Sequence, residues 1–343
     1  VRILLVTQMW PSPAEPDLGS FLLPLERELR ALGHDVDVAA ISRRGGPPTK
    51  YARLTADAVC AARRRRPDVV FAHFLFPAGA AGLAAARAAR APLVVMAHGA
   101  DVANLDRAPV RAATRPVVRG AAAVIANSRW LAGRLEARYP GLACAVCDLG
   151  VDLAQFSPGL ATAPWPGGEG AASHPRLLCA GSLIERKNVV ALADAFAALG
   201  RGTLTFLGDG PLRGRLEGRP GVHLAGRVPH AEVPAWIAAC DVLCQPSLSE
   251  PFGLAALEAM ALERTVVATT EGGPPEFVTP EAGVLVDPAG GVPALRDALE
   301  RAVAMPSPNA AAREAAARHD AAAQAARMAE ILGQAVAARA RAR

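Results

Sequence analysis

RLLCAGSLIERKNVVALADAFAALG, residues 176–200, contains a complete strand–loop–helix unit. Arg176–Ser182 is a short apolar run of the length a buried strand needs. Asn188–Leu199 then places Val189, Leu192, Phe196 and Leu199 on one helical face, and Gly200 terminates the helix. A strand followed at once by an amphipathic helix returns the chain to the same end of the sheet, so the next strand lies parallel to the first.

Reading outward, the same unit repeats. Downstream, strands are predicted at Thr203–Leu207, Val222–Ala225, Asp241–Cys244, Thr265–Ala268 and Val284–Asp287. Upstream, GLATAPWPGGEGAASHP (159–175) carries no periodicity and reads as a linker. Before it, strands are predicted at Arg2–Thr7, Asp35–Ile41, Asp68–Phe74, Leu93–Ala97, Ala122–Ala126 and Ala143–Cys147, with helices at roughly 20–32, 51–66, 78–90, 109–119 and 128–138. The expected architecture is α/β, with two Rossmann-like doubly wound parallel-sheet domains facing an interdomain cleft, because such sheets bind ligands at the carboxyl ends of their strands. Boundaries are predicted at 1–160 and 161–319. The Ala-rich tail from Asn309 reads as one or two helices, and a last helix at about 320–343, with Met328, Ile331 and Leu332 as an apolar stripe, is expected to pack back onto the first domain.

Composition excludes several classes. The 343 residues are 52% hydrophobic and 20% charged, an ordinary globular balance. Arg87, Arg90 and Pro92 break the longest apolar stretch, leaving no membrane span of about 20 residues. Six cysteines are too few for a disulfide scaffold, and VRILLVTQMW lacks the regions of a signal peptide, so a cytoplasmic setting with reduced thiols is expected. The 77 alanines and 35 arginines reflect GC-rich codons, whereas the two lysines, Lys50 and Lys187, are informative by their rarity. Residues 1–160 hold 20 basic and 13 acidic side chains, so this half suits an anionic surface, with peripheral membrane contact at the cytoplasmic face as one form of it. The arginines are not interleaved with aromatic residues, which argues against nucleic acid.

The chemistry concentrates in SLSEPFGLAALEAMA, residues 247–261. Gly253 opens a run of strong helix formers, and a glycine there lets an anion approach the free amides of Phe252, Gly253 and Leu254. Glu250 precedes the helix, where it can accept hydrogen bonds from sugar hydroxyls, and Glu258 lies inside it, within reach of a ribose. This segment resembles the family-four retaining glycosyltransferases ("group 1") of the GT-B fold, whose Glu-x7-Glu pattern falls at Glu250 and Glu258, and the likeness extends over nearly the whole chain.

The resemblance implies further roles. CAGSLIERKNVVALADAF (179–196) is similar to the family's opening unit of the C-terminal domain, where Arg186 and Lys187 would hold the donor diphosphate. Two fixed cations beside a departing diphosphate stabilise its growing charge. HGADV (98–102) places His98 near the donor sugar, with His73 and Asp101 toward the acceptor. PDLGSF (16–21) resembles the glycine loop after the first strand, with Gly19 retained from a usual Gly-Gly pair and Ser20 expected to cap the following helix. Val228 falls where backbone meets the base, and Gly272, Gly273 and Glu276 lie in a supporting segment. The implied catalytic set is His98, Arg186, Lys187 and Glu250. The implied activity is transfer of a hexose-type sugar from a nucleotide diphosphate sugar, as co-substrate, to a carbohydrate, lipid-linked or small-molecule acceptor, with no metal or other cofactor. A nucleotide-sugar epimerase of the same fold and a non-catalytic sugar-nucleotide-binding subunit are the alternatives. A pyridoxal-dependent phosphorylase fits poorly, because neither lysine lies in a buried apolar segment.

Several apparent motifs carry no site. Asp35-x-Asp37 lies within a predicted strand, Gly208-x-Gly210 lacks a full dinucleotide fingerprint, and Cys144-x-x-Cys147 has no second ligand pair for zinc.

Overall fold

The computed structural model describes residues 1–166 and 174–341. The chain divides into two compact units: Val1–Gly150 joined by the helix that begins at Ala321, and Val151–Asp320.

The first unit is built on a parallel sheet of β1 (Arg2–Thr7), β2 (Asp35–Ala40), β3 (Val69–His73), β4 (Leu93–Ala97), β5 (Ala123–Ala126) and β6 (Ala145–Val146). Their spatial order is β2-β1-β3-β4-β5-β6. Alternate side chains fill alternate layers, which explains the unbroken apolar runs. Leu4, Val6, Val70, Ala72 and Val95 meet Leu54 and Ala58 of helix Thr49–Arg65 and Leu83 of helix Ala78–Ala89. On the other face Ile3, Leu5, Phe71, Val94 and Met96 meet Leu25 and Leu29 of helix Leu23–Ala31, together with Met328 and Leu332 of the last helix, Ala321–Arg341. Burying Met328 and Leu332 is worth about 1.5–3 kcal/mol each, which fastens this helix to the first unit.

The second unit repeats the plan with β7 (Arg176–Ala180), β8 (Thr203–Leu207), β9 (Val222–Gly226), β10 (Val242–Gln245), β11 (Thr265–Thr269) and β12 (Gly283–Val286), ordered β12-β11-β10-β7-β8-β9. Val189, Leu192 and Phe196 of helix Val189–Leu199 pack on one face, and Ala256, Leu257 and Met260 of helix Leu254–Ala261 on the other.

Two expectations are corrected. The second unit begins at Val151, about ten residues before the predicted boundary, because Val151, Phe156 and Trp165 all belong to its core. Within the stretch read as a linker, residues 167–173 lie outside the described residues. Trp165, however, is buried and donates its indole N–H to Thr203 Oγ1 at 2.8 Å, and the Ala163 amide bonds the Ala235 carbonyl at 3.0 Å. A large aromatic ring supplied apolar burial that composition alone concealed.

The two strand orders differ. Strand order reverses between β1 and β3 in the first sheet and between β7 and β10 in the second. Ligands of open α/β sheets bind outside the carboxyl ends of strands at such switch points. The predicted site residues follow these strands: Gly19 follows β1, His73 ends β3, His98 follows β4, Arg186 and Lys187 follow β7, and Glu250 follows β10.

Candidate functional site

At the switch point of the second sheet the chain leaves β7 through Gly181 and enters a tight turn, Glu185–Lys187. Asn188 adopts φ 57°, a left-handed conformation that asparagine tolerates, and redirects the chain into helix Val189–Leu199. This turn aims Lys187 at the loop after β10. Its ammonium lies 2.5 Å from Glu250 Oε2, with the two side chains 16% and 9% exposed. Arg186 donates to the Ser249 carbonyl at 2.8 Å and lies 3.7 Å from the same carboxylate oxygen. Ser247 Oγ and Gln245 Nε2 donate to it at 3.0 and 3.3 Å. Burial by itself pushes the Glu250 carboxyl up, but Lys187, then Arg186 and Ser247, outweigh it and hold the pKa below the usual value. The arrangement is therefore a fixed carboxylate presenting two cations beside the amino end of helix Leu254–Ala261, where the first backbone amides have no intrahelical acceptors.

Backbone contacts too close for any side chain hold this loop. The Glu250 amide bonds the Glu271 carbonyl at 2.8 Å, and the Gly273 amide bonds the Glu250 carbonyl at 2.9 Å. A Cβ on Gly272, whose φ is 144°, would stand 1.7 Å from the Glu250 carbonyl oxygen; one on Gly273 would stand 2.7 Å from Phe252 Cα. The turn carrying Lys187 is buttressed in the same way, since Leu183 receives Gly210 so closely that a Cβ there would lie 2.5 Å from the Leu183 carbonyl oxygen. Thus Gly208-x-Gly210, not a fingerprint by spacing, supports the loop of the two cations.

Other expected donor-side residues lie in the same unit. Phe252 and Gly253 are buried and Leu254 is half-buried; Gly253 caps the helix with φ 106°. Glu258 lies inside the helix, 3.8 Å from His230 Nε2. That carboxylate raises the His230 pKa against the opposing effect of burial. Val228 packs on the second unit's core. Sequence reasoning missed Gln245, Ser247 and His230. Gln245 and Ser247 were discoverable as polar residues at the carboxyl end of a central strand; His230 carried no local signal.

In the first unit, His73 is fully buried and its Nδ1 lies 3.0 Å from His98 Nε2. Phe21 and Phe74 place their ring centroids 5.4 and 4.5 Å from that of His98. Desolvation lowers both imidazole pKa values, that of His98 to about 3. Gly19, at φ 71°, passes so close to Met9 that a Cβ would lie 2.4 Å from its carbonyl oxygen.

One reading here is corrected, and Asp101 shows a backbone role. Ser20 does not cap helix Leu23–Ala31, whose cap position is Leu22; it lies within a turn, Ser20–Leu22, that Gly19 opens. Asp101, expected on the acceptor side, has both carboxylate oxygens occupied. Oδ2 accepts from the Leu75 amide at 2.8 Å, and Oδ1 accepts from the amides of His98, Gly99 and Val102 at 2.9–3.1 Å. Asp101 positions the loop of His98 and faces inward.

The family model described as Glycosyl transferases group 1 matches residues 174–305, and that described as Glycosyltransferase Family 4 matches residues 19–155. TuaC of Bacillus subtilis, a glycosyltransferase named for teichuronic acid biosynthesis, is 27% identical, covering 88% of this chain and 89% of its own. Sucrose-phosphate synthase from Thermosynechococcus elongatus has a similar fold (TM-score 0.78, 21% identity, 98% of this chain and 99% of that one). So does Anabaena HepE in complex with UDP-glucose (TM-score 0.74, 23% identity, 97% and 99%). The fold is GT-B, and the chain belongs to the group 1 glycosyltransferases of family 4.

Proposed function

We propose that this glycosyltransferase moves a hexose from a nucleotide diphosphate sugar to an acceptor hydroxyl, with retention at the anomeric carbon and without a metal ion. The observation that carries the reading is the Lys187–Glu250–Arg186 cluster at the β7/β10 switch point. As the glycosidic bond breaks, negative charge gathers on the diphosphate, and two prepositioned cations with the amides of helix Leu254–Ala261 are the groups that stabilise it. In this reading Glu258 accepts from ribose hydroxyls. In the same-face reaction that the family resemblance implies, the bond from the anomeric carbon to phosphate breaks and the bond to the acceptor oxygen forms on that face. The departing phosphate oxygen takes the acceptor's proton. The HepE complex with UDP-glucose supports the donor class. Among the described residues, no helix is long and apolar enough to cross a membrane.

Lys187→Ala should lower turnover about 100-fold or more. Lys187→Gln, which keeps a hydrogen-bond donor toward Glu250, is the companion variant, with circular dichroism checking the fold of both. Near-normal turnover in both would overturn the assignment. The donor is found by thermal shift with UDP-, GDP-, ADP- and dTDP-sugars; at 100 times Kd a bound donor adds about 2.7 kcal/mol. NMR of the product's anomeric configuration tests retention, and a rate unchanged by chelator tests metal independence.

A further inference from the structure

The pair His73–His98 holds more information than its place in the loop. Both imidazoles are neutral at pH 7, so the pair carries two ring protons on four nitrogens. One proton must lie in the 3.0 Å contact between His73 Nδ1 and His98 Nε2. His73 Nε2 is sealed from solvent and has no hydrogen-bond partner among the described residues. His98 Nδ1 also has no hydrogen-bond partner among the described residues, but it is not sealed in.

Two proton arrangements are available. If His98 donates through Nε2–H, the second proton must sit on His73 Nε2, creating a buried N–H with no acceptor. If His73 donates through Nδ1–H, its Nε2 keeps only a lone pair, and His98 carries its proton on Nδ1. Orphaned buried N–H groups are the rarer defect, and leaving one unsatisfied costs on the order of 1–3 kcal/mol. The second arrangement therefore dominates.

We propose that His73 is a positioning residue that locks His98 into its Nδ1–H tautomer, so that His98 meets an oxygen of the sugar or phosphate ligand as a hydrogen-bond donor. A consequence follows for the reaction. With Nδ1 protonated and Nε2 engaged by His73, His98 offers no lone pair to an acceptor hydroxyl and cannot be its general base. The proton must go elsewhere, as the same-face reaction requires. Phe21 and Phe74 hold the ring in the orientation this needs, and the four amides on Asp101 fix the backbone beneath it. This inference rests on the proposed function only for the identity of the ligand; the tautomer itself is a property of the free protein.

Long-range 1H–15N correlation on the 15N-labelled protein reads the tautomer without any variant. His98 and His73 are both expected to show the Nδ1–H pattern; an Nε2–H pattern at His98 overturns the proposal. His73→Phe keeps the ring volume and removes the donor, whereas His73→Asn returns an N–H near the Nδ1 position. We expect His73→Phe to lose about 10- to 100-fold in kcat/KM, with the His98 tautomer pattern altered, and His73→Asn to recover most of that loss. Unchanged kcat/KM in His73→Phe overturns the positioning role while leaving glycosyl transfer intact. Loss of transfer with every donor in the wild-type protein would instead refute the proposed function and leave the NMR result standing.

Discussion

The two strand-end clusters, one in each unit, solve the same geometric problem with opposite chemistry. At β7/β10 the polar groups are ionised and paired by sign: one carboxylate, largely withdrawn from water, carries Lys187 and Arg186. At the ends of β3 and β4 the polar groups are neutral and share protons: two imidazoles in contact, framed by Phe21 and Phe74, above a carboxylate occupied by amides. The difference shows how one architecture can be given two tasks. Fixed cations suit a ligand with localised negative charge, because their field is present before the ligand arrives. Desolvated neutral imidazoles discriminate by hydrogen-bond direction, which suits uncharged hydroxyls and demands a defined tautomer.

The comparison is broken most severely by removing what lets each loop take its shape. Gly272→Ala should cost about 4 kcal/mol or more and unfold or mis-set the second unit, since the added Cβ overlaps the Glu250 carbonyl and the φ of 144° suits glycine. Chemical denaturation followed by the fluorescence of Trp165 and Trp236, both in that unit, reads it; a loss below 1 kcal/mol would mean the Glu250 loop can retreat. Next comes the Lys187 substitution, which attacks the charged site through turnover. Asp101→Ala is its counterpart in the first unit. Four amides lose their acceptor, so stability should fall by about 3 kcal/mol. Asp101→Asn, which keeps one oxygen, should cost less. Equal melting temperatures for wild type and Asp101→Ala would return Asp101 to the role of a ligand-facing residue.

Much of this was legible from residues alone, and the exceptions share a cause. Apolar runs announced most strands within a residue or two, because strands buried on both faces need no alternation. EPFGLAALEAMA announced a strand-end carboxylate and a helix amino end together. What escaped depends on partners distant in sequence. The order β2-β1-β3 in the first sheet is a pairing choice, which no local pattern encodes. Asp101 follows His98 in a motif that invites a ligand role, and only the amides that converge on it reveal its task. Gly208 and Gly210 looked like a failed phosphate loop until the backbones of Gly181 and Leu183, respectively, were seen against them. His230 became relevant only when the fold brought it to Glu258.

The smallest expected effect separates the two units by sign. His73 and His98 have folded pKa values below the ordinary imidazole value of 6.5. Once pH falls below that value the unfolded chain binds protons the folded loop refuses, so acidification destabilises the first unit. His230 is shifted the other way: its folded pKa lies above 6.5, raised by Glu258. Its contribution is fully present below 6.5 and is lost as pH rises through the folded value, so acidification favours the second unit there. Glu250 stays silent in this window, because its contribution is present above the ordinary carboxylate value of 4.5 and fails only below it. Hydrogen exchange compared between about pH 8 and pH 5.5, corrected for intrinsic rates, should show protection falling around 93–106 and rising around 228–239. His230→Gln should abolish the rise and leave the fall unchanged. A shift of the same sign in both regions would mean that other groups, among them Asp101 with its carboxyl pushed up by burial, and not these three histidines, set the acid response.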